Sequence, residues 1–199
     1  MRPPNVSTHH GSLQRRRMNS NNLVGSIPPS IAYLTNLQYF SFSVNALTGT
    51  LPNGLVDLTN LAYFIIFTNR ISGSIPNAVG NMVALTYLEF DGNLMTGTLP
   101  ESIAALTVLT FLTASGNLFS GTIPNAIGKL NLNYLNLGGN LLTGTIPALF
   151  GALTGLTTLG LGSCGLTGTI PSEFGSLILL TGLDMSSNRA PPLPHLNLC

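Results

Sequence analysis

Two carboxylates are the residues of this chain best placed to do chemistry. Glu89 and Asp91 lie two apart in the segment Leu-Thr-Tyr-Leu-Glu-Phe-Asp, and residues two apart on a β-strand share a face. A carboxylate pair can act as a general acid or base, or it can bind a cation. Because no third ligand or base stands out, we interpret the pair as a solvated acidic patch that suits a cationic partner.

Histidine and cysteine chemistry has little support in the sequence. His9, His10 and His195 lie outside residues 21–188, so this central part of the chain holds no Ser–His or Cys–His pair. Adjacent histidines do not face each other on a regular element, which argues against a metal site. Cys164 has no cationic neighbour in sequence, and a buried cysteine usually behaves as a small hydrophobe. We therefore predict no enzymatic activity, no metal and no cofactor, and the pairing of Cys164 with Cys199 stays open.

The charges exclude some partners. Charged residues make up 7% of the 199 residues, and hydrophobic residues make up 44%. Residues 21–188 hold two cations and six anions, a net charge of −4, whereas the segments outside them hold five arginines and no anion. This pattern does not resemble a phosphate-binding surface, so we expect no nucleic-acid partner. No apolar run approaches the ~20 residues that span a bilayer.

The elements that position the carboxylates are repeats. The motif Asn-Leu-Met-Thr-Gly-Thr-Leu-Pro at 93–100 recurs along the chain with a constant period, which is one position shorter only between Asn117 and Asn140. A fixed period of this length predicts stacked coils that bury their apolar faces against one another. A buried Asn amide can satisfy both backbone donors and backbone acceptors where the chain turns inward. We therefore predict a structural ladder of Asn45, Asn69, Asn93, Asn117, Asn140, Cys164 and Asn188.

Each coil contains a strand pattern followed by a short return segment. In the segment 85–93, Leu88 and Phe90 alternate with Tyr87, Glu89 and Asp91, which is typical of a half-buried strand. Seven such segments predict one continuous parallel sheet. The return segments hold too few residues for a long helix, so we expect one or two turns, often 3₁₀. We predict a disordered basic tail at 1–20, a solenoid of about seven repeats at 21–190, and an irregular tail at 191–199.

The repeat Leu-x-x-Leu-x-Leu-x-x-Asn-x-Leu-Thr/Ser-Gly-x-Ile-Pro resembles the plant-type leucine-rich repeat. This is the repeat of receptor-like kinases, receptor-like proteins and polygalacturonase-inhibiting proteins. The resemblance implies an α/β solenoid, a right-handed superhelix with a parallel β-sheet on its concave face and short 3₁₀ or helical turns on its convex face. It also implies an extracellular or cell-surface location and a protein or peptide ligand on the concave face. Further leucine-rich coils and a co-receptor are other partners that it implies.

The sequence departs from this family in three ways. The segment 1–20 contains no apolar run of the kind found in signal peptides. Cysteine-bearing caps, a transmembrane helix and a kinase domain are not visible either. We therefore expect a fragment of a longer repeat array or an incomplete gene model. A ligand-recognition ectodomain of a receptor-like protein is the favoured interpretation, and a secreted inhibitor of a cell-wall hydrolase is the alternative.

Aromatic residues occupy the third strand position of five successive coils. Rings in adjacent strands can stack along a sheet, and exposed aromatic residues with polar neighbours are typical of binding hot spots. An alternative is that the rings only stiffen the sheet. We expect Ile65 and Phe67 to form an apolar patch beside the carboxylates. The predicted partner-binding residues are Tyr39, Tyr63, Ile65, Phe67, Tyr87, Glu89, Asp91, Phe111 and Tyr134.

Pairs of hydroxyl residues flank the repeat glycines and define a second candidate surface. If these segments are extended, both hydroxyls of a pair face the same way, and stacked coils make a flat double row. Such arrays resemble the surfaces of some ice-binding solenoids, so ice binding is a further, less favoured alternative. The pairs are Thr48/Thr50, Ser72/Ser74, Thr96/Thr98, Ser120/Thr122, Thr143/Thr145 and Thr167/Thr169.

Overall fold

Eight parallel strands form the main sheet, each from a different coil. The computed structural model describes residues 14–188. His9, His10, His195, Cys199 and the predicted tail 191–199 lie outside the described residues. The strands of the main sheet, in spatial order, are β1 (Arg15–Arg17), β3 (Tyr39–Ser41), β5 (Tyr63–Ile65), β7 (Tyr87–Glu89), β9 (Phe111–Thr113), β11 (Tyr134–Asn136), β13 (Thr158–Gly160) and β15 (Gly182–Asp184).

The register of this sheet follows the sequence period. Tyr63 pairs with Tyr39 on one side and with Tyr87 on the other, each one repeat period away. The shorter repeat does not shift the strand register, since Tyr134 pairs with Phe111, its equivalent in the preceding coil. Because the side-chain period of a strand is two, this constant register keeps every coil's apolar residues on the inner face. The predicted solenoid of parallel strands and short turns is confirmed.

The sheet begins earlier than the predicted solenoid boundary at residue 21. Arg15, Arg16 and Arg17 form β1 and pair in register with the strand Tyr39–Ser41. This pairing needs only main-chain groups, such as the Ser41 carbonyl, which accepts a hydrogen bond from the Met18 N–H at 2.9 Å. The three arginines obscure the apolar alternation that marks the other strands, although they lie one repeat period before the next strand. The predicted disordered tail at 1–20 therefore differs from the structure at these positions.

Shorter strands follow the Asn of each repeat and form smaller parallel sheets. They lie where the chain leaves the main sheet, around the Thr/Ser-Gly-Thr/Ser segments. One sheet has three strands, β10 (Ser120–Thr122), β12 (Leu141–Thr145) and β14 (Gly165–Thr167). Two others each have two strands, β2 (Val24–Ser26) with β4 (Ala46–Thr48), and β6 (Ser72–Gly73) with β8 (Leu94–Met95).

Short 3₁₀ helices carry the chain back to the next strand of the main sheet. Most begin directly after a proline, which fixes φ in an extended conformation at the start of the turn. Their length matches the predicted one or two turns. The helices are Pro29–Tyr33, Asn53–Asp57, Val79–Asn81, Glu101–Ala105, Asn125–Lys129, Ala148–Ala152 and Ser172–Ser176.

The core is a column between the main sheet and the 3₁₀ helices. The inward residue of each strand stacks on its equivalent in the next coil, and phenylalanines at one end give way to leucines at the other. Phe40 and Phe64 lie 5.4 Å apart between ring centroids. This packing leaves the opposite face of the sheet, with its third-position and fifth-position side chains, directed away from the core. The main members of the column are Phe40, Phe64, Leu88, Leu112, Leu135 and Leu159.

Candidate functional site

The asparagine ladder holds the end of each strand in place through backbone contacts. The Nδ2 group of Asn93 donates to the carbonyls of Phe90 at 2.9 Å and of Ile66, one coil earlier, at 3.0 Å. Its Oδ1 accepts from the N–H of Ile71 at 3.0 Å. Each amide thus bonds two adjacent coils at the edge of the main sheet. The same pattern recurs at Asn45, Asn69, Asn117, Asn140 and Asn188.

Cys164 takes the place of Asn in this ladder, as the spacing predicts. Its sulfur lies 3.5 Å from the carbonyl oxygen of Leu137 and 3.6 Å from that of Gly162. Burial raises the pKa of the thiol above its usual value, despite opposing hydrogen bonds from the Asn140 and Gly139 backbone. A raised pKa disfavours the thiolate, which is the reactive form. The environment therefore suits a structural cysteine.

The predicted aromatic residues form a continuous row across five neighbouring strands. We use the term aromatic row for Tyr39, Tyr63, Tyr87, Phe111 and Tyr134. Ring centroids are 5.3, 6.0, 4.0 and 4.4 Å apart along this order. Tyr87 and Phe111 are nearly parallel, inclined by 5°, whereas the spacing is widest between Tyr63 and Tyr87. Tyr63 is also 41% exposed, so the row is most open to solvent at this point.

An arginine of the same chain covers one end of the aromatic row. The guanidinium carbon of Arg17 lies 4.5 Å from the ring centroid of Tyr39, within the range of a cation–π contact. Sequence reasoning missed this contact because it assigned Arg17 to a disordered tail. Arg17 lies one repeat period before Ser41. This spacing predicts that the two residues pair in adjacent strands, which brings Arg17 close to Tyr39. The row is therefore chemically able to accept a guanidinium group.

Glu89 and Asp91 lie beside the aromatic row but differ in their environments. The Oδ1 atom of Asp91 accepts a hydrogen bond from the Ser115 N–H at 2.6 Å, from the Ser115 hydroxyl at 2.6 Å and from the Thr113 hydroxyl. One oxygen of Asp91 thus serves to bind the next coil. Glu89 is half-buried between Ile65 and Thr113, its partners in register.

The environment of Glu89 favours its neutral form. Burial and the negative charge of Asp91 raise the pKa of Glu89 from 4.5 to about 7, despite an opposing hydrogen bond from Tyr87. Burial is also the main reason why the pKa of Tyr87 rises to about 12, with Glu89 contributing next. The hydrogen bond between them has opposite effects on the two groups, because a phenol that donates to a carboxylate is harder to ionise, whereas the carboxylate that accepts keeps its charge more easily. For Glu89 this lowering is smaller than the increase caused by burial and by the charge of Asp91.

The predicted apolar patch beside the carboxylates consists of Ile65 and Phe67, and the structure differs from this prediction at Ile65. Ile65 is only 9% exposed, and its partners in register on the adjacent strands are Ser41 and Glu89. Phe67 is partly exposed. The sequence pattern indicated the correct face of the strand but not how much of each side chain its neighbours cover.

The hydroxyl pairs form two rows with different roles. In the inner row, which precedes each repeat glycine, most hydroxyls donate to the glycine carbonyl of the preceding coil, as Ser72 does to Gly49 at 3.2 Å. The other donors of this kind are Thr48, Ser120, Thr143 and Thr167. The outer row follows each repeat glycine and is exposed. Several inner-row residues are exposed as well, so the two rows differ in their hydrogen bonds. The outer row consists of Thr50, Ser74, Thr98, Thr122, Thr145 and Thr169.

The outer row is held in place by the glycines of the next coil. A Cβ atom on Gly121 would lie 3.0 Å from the Thr98 Cγ2, and one on Gly73 would lie 2.7 Å from the Thr50 Cγ2. Both glycines also have positive φ, +77° and +75°, a conformation that side chains rarely adopt. The repeat glycine therefore provides both the turn and the space for the preceding threonine methyl.

Residues 14–188 contain no group of three or more His, Cys, Asp and Glu side chains placed to hold a metal ion. In the same range, no helix has the length and apolar character required to cross a bilayer.

The repeats match a known family. The family described as Leucine Rich Repeat matches residues 108–130, 131–153 and 155–177. No curated protein matches the chain at a significant level. Several solved structures do, and they include plant receptor ectodomains.

Two of these structures come from Arabidopsis receptor kinases. The chain is 38% identical to the leucine-rich repeat ectodomain of GASSHO1/SCHENGEN3 from Arabidopsis thaliana, solved with CASPARIAN STRIP INTEGRITY FACTOR 2, with a TM-score of 0.84 over 86% of this chain and 21% of that one. It is 32% identical to the receptor kinase HAESA, solved with the peptide hormone IDA and the co-receptor SERK1, with a TM-score of 0.88 over 90% of this chain and 30% of that one. The chain therefore spans less than a third of either structure.

A third structure is a plant ice-binding protein. It is 23% identical, with a TM-score of 0.74 over 90% of this chain and 66% of that one, a likeness that concerns the fold alone. Taken together with the repeats, these matches define the class. Residues 108–177 contain repeats of the Leucine Rich Repeat family, and the chain shares its solenoid fold with the repeat ectodomains of plant receptor kinases.

Proposed function

We propose that the chain is a non-catalytic module that binds a peptide or protein through the aromatic row and the residues beside it. The supporting observation is the row itself, five neighbouring rings that lie across adjacent strands on the face opposite to the core. Contiguous, partly exposed aromatic residues supply large contact area with little loss of side-chain freedom on binding. The complex of the similar receptor kinase HAESA with the peptide hormone IDA is consistent with this use of the fold.

A ligand-recognition ectodomain of a receptor-like protein is the role that we favour. This role implies an extracellular or cell-surface location and contacts with further coils or a co-receptor. A secreted inhibitor of a cell-wall hydrolase uses the same module without a membrane anchor. The full-length gene separates the two roles, because a downstream membrane span and kinase domain favour a receptor, whereas a capped end favours an inhibitor.

The binding surface can be tested by selecting linear peptides on the immobilised protein from a random display library. We expect binders that lose at least tenfold in affinity when Tyr63 and Tyr87 are both replaced by alanine. Tyr33→Ala is the matched control, since Tyr33 is 72% exposed and lies on a 3₁₀ helix. If the binders tolerate Tyr63→Ala/Tyr87→Ala but not Tyr33→Ala, the assignment of the surface is wrong.

The outer hydroxyl row supports a second candidate function, ice binding. Its exposed residues repeat at the coil spacing, and threonine methyls in it are fixed by glycines of the next coil. Most hydroxyls of the inner row, however, donate to backbone carbonyls, which leaves fewer free hydroxyl donors than the sequence suggested. We expect no effect on ice growth. An ice-recrystallisation assay of the parent protein, followed by Thr98→Tyr, Thr122→Tyr and Thr145→Tyr if the parent is active, tests this candidate.

A further inference from the structure

Glu89 is a half-buried carboxylate without a cationic partner in the described chain. Its neighbours in register are Ile65, which is apolar, and Thr113, whose hydroxyl donates to Asp91 instead. Beyond β1, the cations of residues 14–188 are Arg70 and Lys129, and neither is among the groups that shift the pKa of Glu89. Removing a carboxylate from water without a compensating charge is costly. A cation supplied by a partner would remove that cost.

The surface around Glu89 also suits the shape of a guanidinium. Tyr63 and Tyr87 flank the widest gap of the aromatic row, 6.0 Å between ring centroids, and Tyr63 is its most open ring. At the end of the same row, Arg17 already places its guanidinium over Tyr39. Arginine suits such a surface better than lysine, because its planar group stacks on aromatic rings and binds a carboxylate through two parallel hydrogen bonds.

The charge around Glu89 is complementary to such a partner, whereas the three arginines of β1 lie at the end of the sheet. Residues 21–188 carry six anions against two cations, and Glu89 and Asp91 concentrate two of these anions beside the aromatic row. Asp91 is bound by three donors from the next coil, so it contributes its charge to the surface while its position stays fixed. Glu89 is the carboxylate left to pair with a ligand.

We propose that the partner is an extended peptide segment with an arginine whose guanidinium pairs with Glu89 and packs against the rings of Tyr63 and Tyr87. This inference rests on the proposed function, since it specifies the ligand of the same surface. The titratable or charged groups near Glu89 are Tyr87 on its own strand, Asp91 just after that strand, and Tyr63 on β5. The neighbouring strand β9 supplies Phe111 and Thr113, which carry no charge. Protonation of Glu89 therefore competes directly with binding of the cation.

The experiment is the selection of linear ten-residue peptides described above, carried out at pH 8. We expect enrichment of arginine at one position. Replacing that arginine by citrulline, which is neutral and nearly isosteric, is expected to weaken binding at least tenfold. Glu89→Gln should weaken binding of the arginine peptide by a similar factor and should not weaken binding of the citrulline peptide further. Glu101→Gln is the control, because Glu101 is an exposed carboxylate on a 3₁₀ helix.

The pH dependence gives a second measurement. Affinity for the arginine peptide should fall as the pH decreases from 8 to 6, because Glu89 gains a proton in this range, and Glu89→Gln should abolish the dependence. Peptides that bind through Tyr63 and Tyr87 without arginine enrichment and without sensitivity to Glu89→Gln would refute this inference and leave the proposed function intact. Absence of any binder that depends on Tyr63 and Tyr87 would refute both.

Discussion

The sulfur of Cys164 lies 3.5 Å from the carbonyl oxygen of Leu137, in the place where the other ladder residues put an amide nitrogen. One coil later, the Nδ2 of Asn188 reaches the Leu161 carbonyl at 2.8 Å, and its Oδ1 accepts from the Leu166 N–H at 3.2 Å. A thiol is a weak donor and a weak acceptor. The ladder is therefore weakest at Cys164.

Replacing Cys164 by asparagine is expected to stabilise the protein. The amide restores a strong donor to the Leu137 carbonyl and an oxygen acceptor for the N–H of Leu142, the residue equivalent to Leu166. We expect a gain of about 1 kcal/mol in the free energy of unfolding, measured by urea denaturation. Cys164→Ala, which adds no polar group, should not stabilise the protein. A lower stability of Cys164→Asn would show that this coil has adapted to the smaller side chain.

The opposite change in the centre of the ladder is expected to be costly. Asn93→Leu removes an amide that bonds the carbonyls of Ile66 and Phe90 and the N–H of Ile71. Because these groups are buried, their loss of partners should cost about 3 kcal/mol or more. Asn60→Leu is the matched control, since Asn60 makes one exposed hydrogen bond, to the Thr35 carbonyl, and its loss should cost about 1 kcal/mol or less. Equal effects of the two changes would contradict the proposed role of the ladder.

These residues also show why the fold was predictable and the site only in part. A strict period identifies the strands, the asparagines and the aromatic row, because equivalent residues occupy equivalent packing environments in each coil. The contacts that set the chemistry of Glu89 come from residues that break the pattern, namely Ile65, Asp91 and Thr113 in three successive coils. The burial of Ile65 and the three hydrogen bonds that the Asp91 Oδ1 accepts depend on the side chains of neighbouring coils. Spacing alone does not contain this information.

A repeat glycine provides a test of the packing beneath the outer hydroxyl row. Gly121→Ala places a Cβ atom 3.0 Å from the Thr98 Cγ2 at a φ of +77°, so we expect a loss of about 1–2 kcal/mol, measured by thermal or urea denaturation. Gly175→Ala is the control, because nothing lies within 4 Å of its added Cβ, and its effect should be within about 0.5 kcal/mol.

A second substitution separates crowding from backbone strain at Gly121. Thr98→Ser removes the crowded methyl, so the double variant Thr98→Ser/Gly121→Ala should recover part of the loss and retain the part due to positive φ. If the two changes are simply additive, Thr98 does not pack on Gly121 in solution and the outer row is not held as described.

The stability of the protein should depend on pH through Glu89. Its pKa rises from 4.5 to about 7 in the folded protein because of burial and the charge of Asp91. The folded state therefore binds the proton more tightly than the unfolded state, and the contribution of Glu89 to stability falls as the pH increases from about 4.5 to 7. At about pH 8 and above, both states have largely lost the proton, so this contribution is constant and unfavourable.

Comparison of the wild type with Glu89→Gln isolates this effect from that of other carboxylates. Because Glu89 is half-buried and solvent screens its charge, we expect Glu89→Gln to be more stable by about 1 kcal/mol at pH 8. Below pH 4.5 the difference should largely vanish, because glutamine resembles the protonated acid. Glu101→Gln, an exposed control, should show a nearly constant difference across this range. A Glu89→Gln difference that is also constant from pH 4 to pH 8 would mean that Glu89 titrates near its usual pKa, and that its carboxylate is well solvated in the free protein.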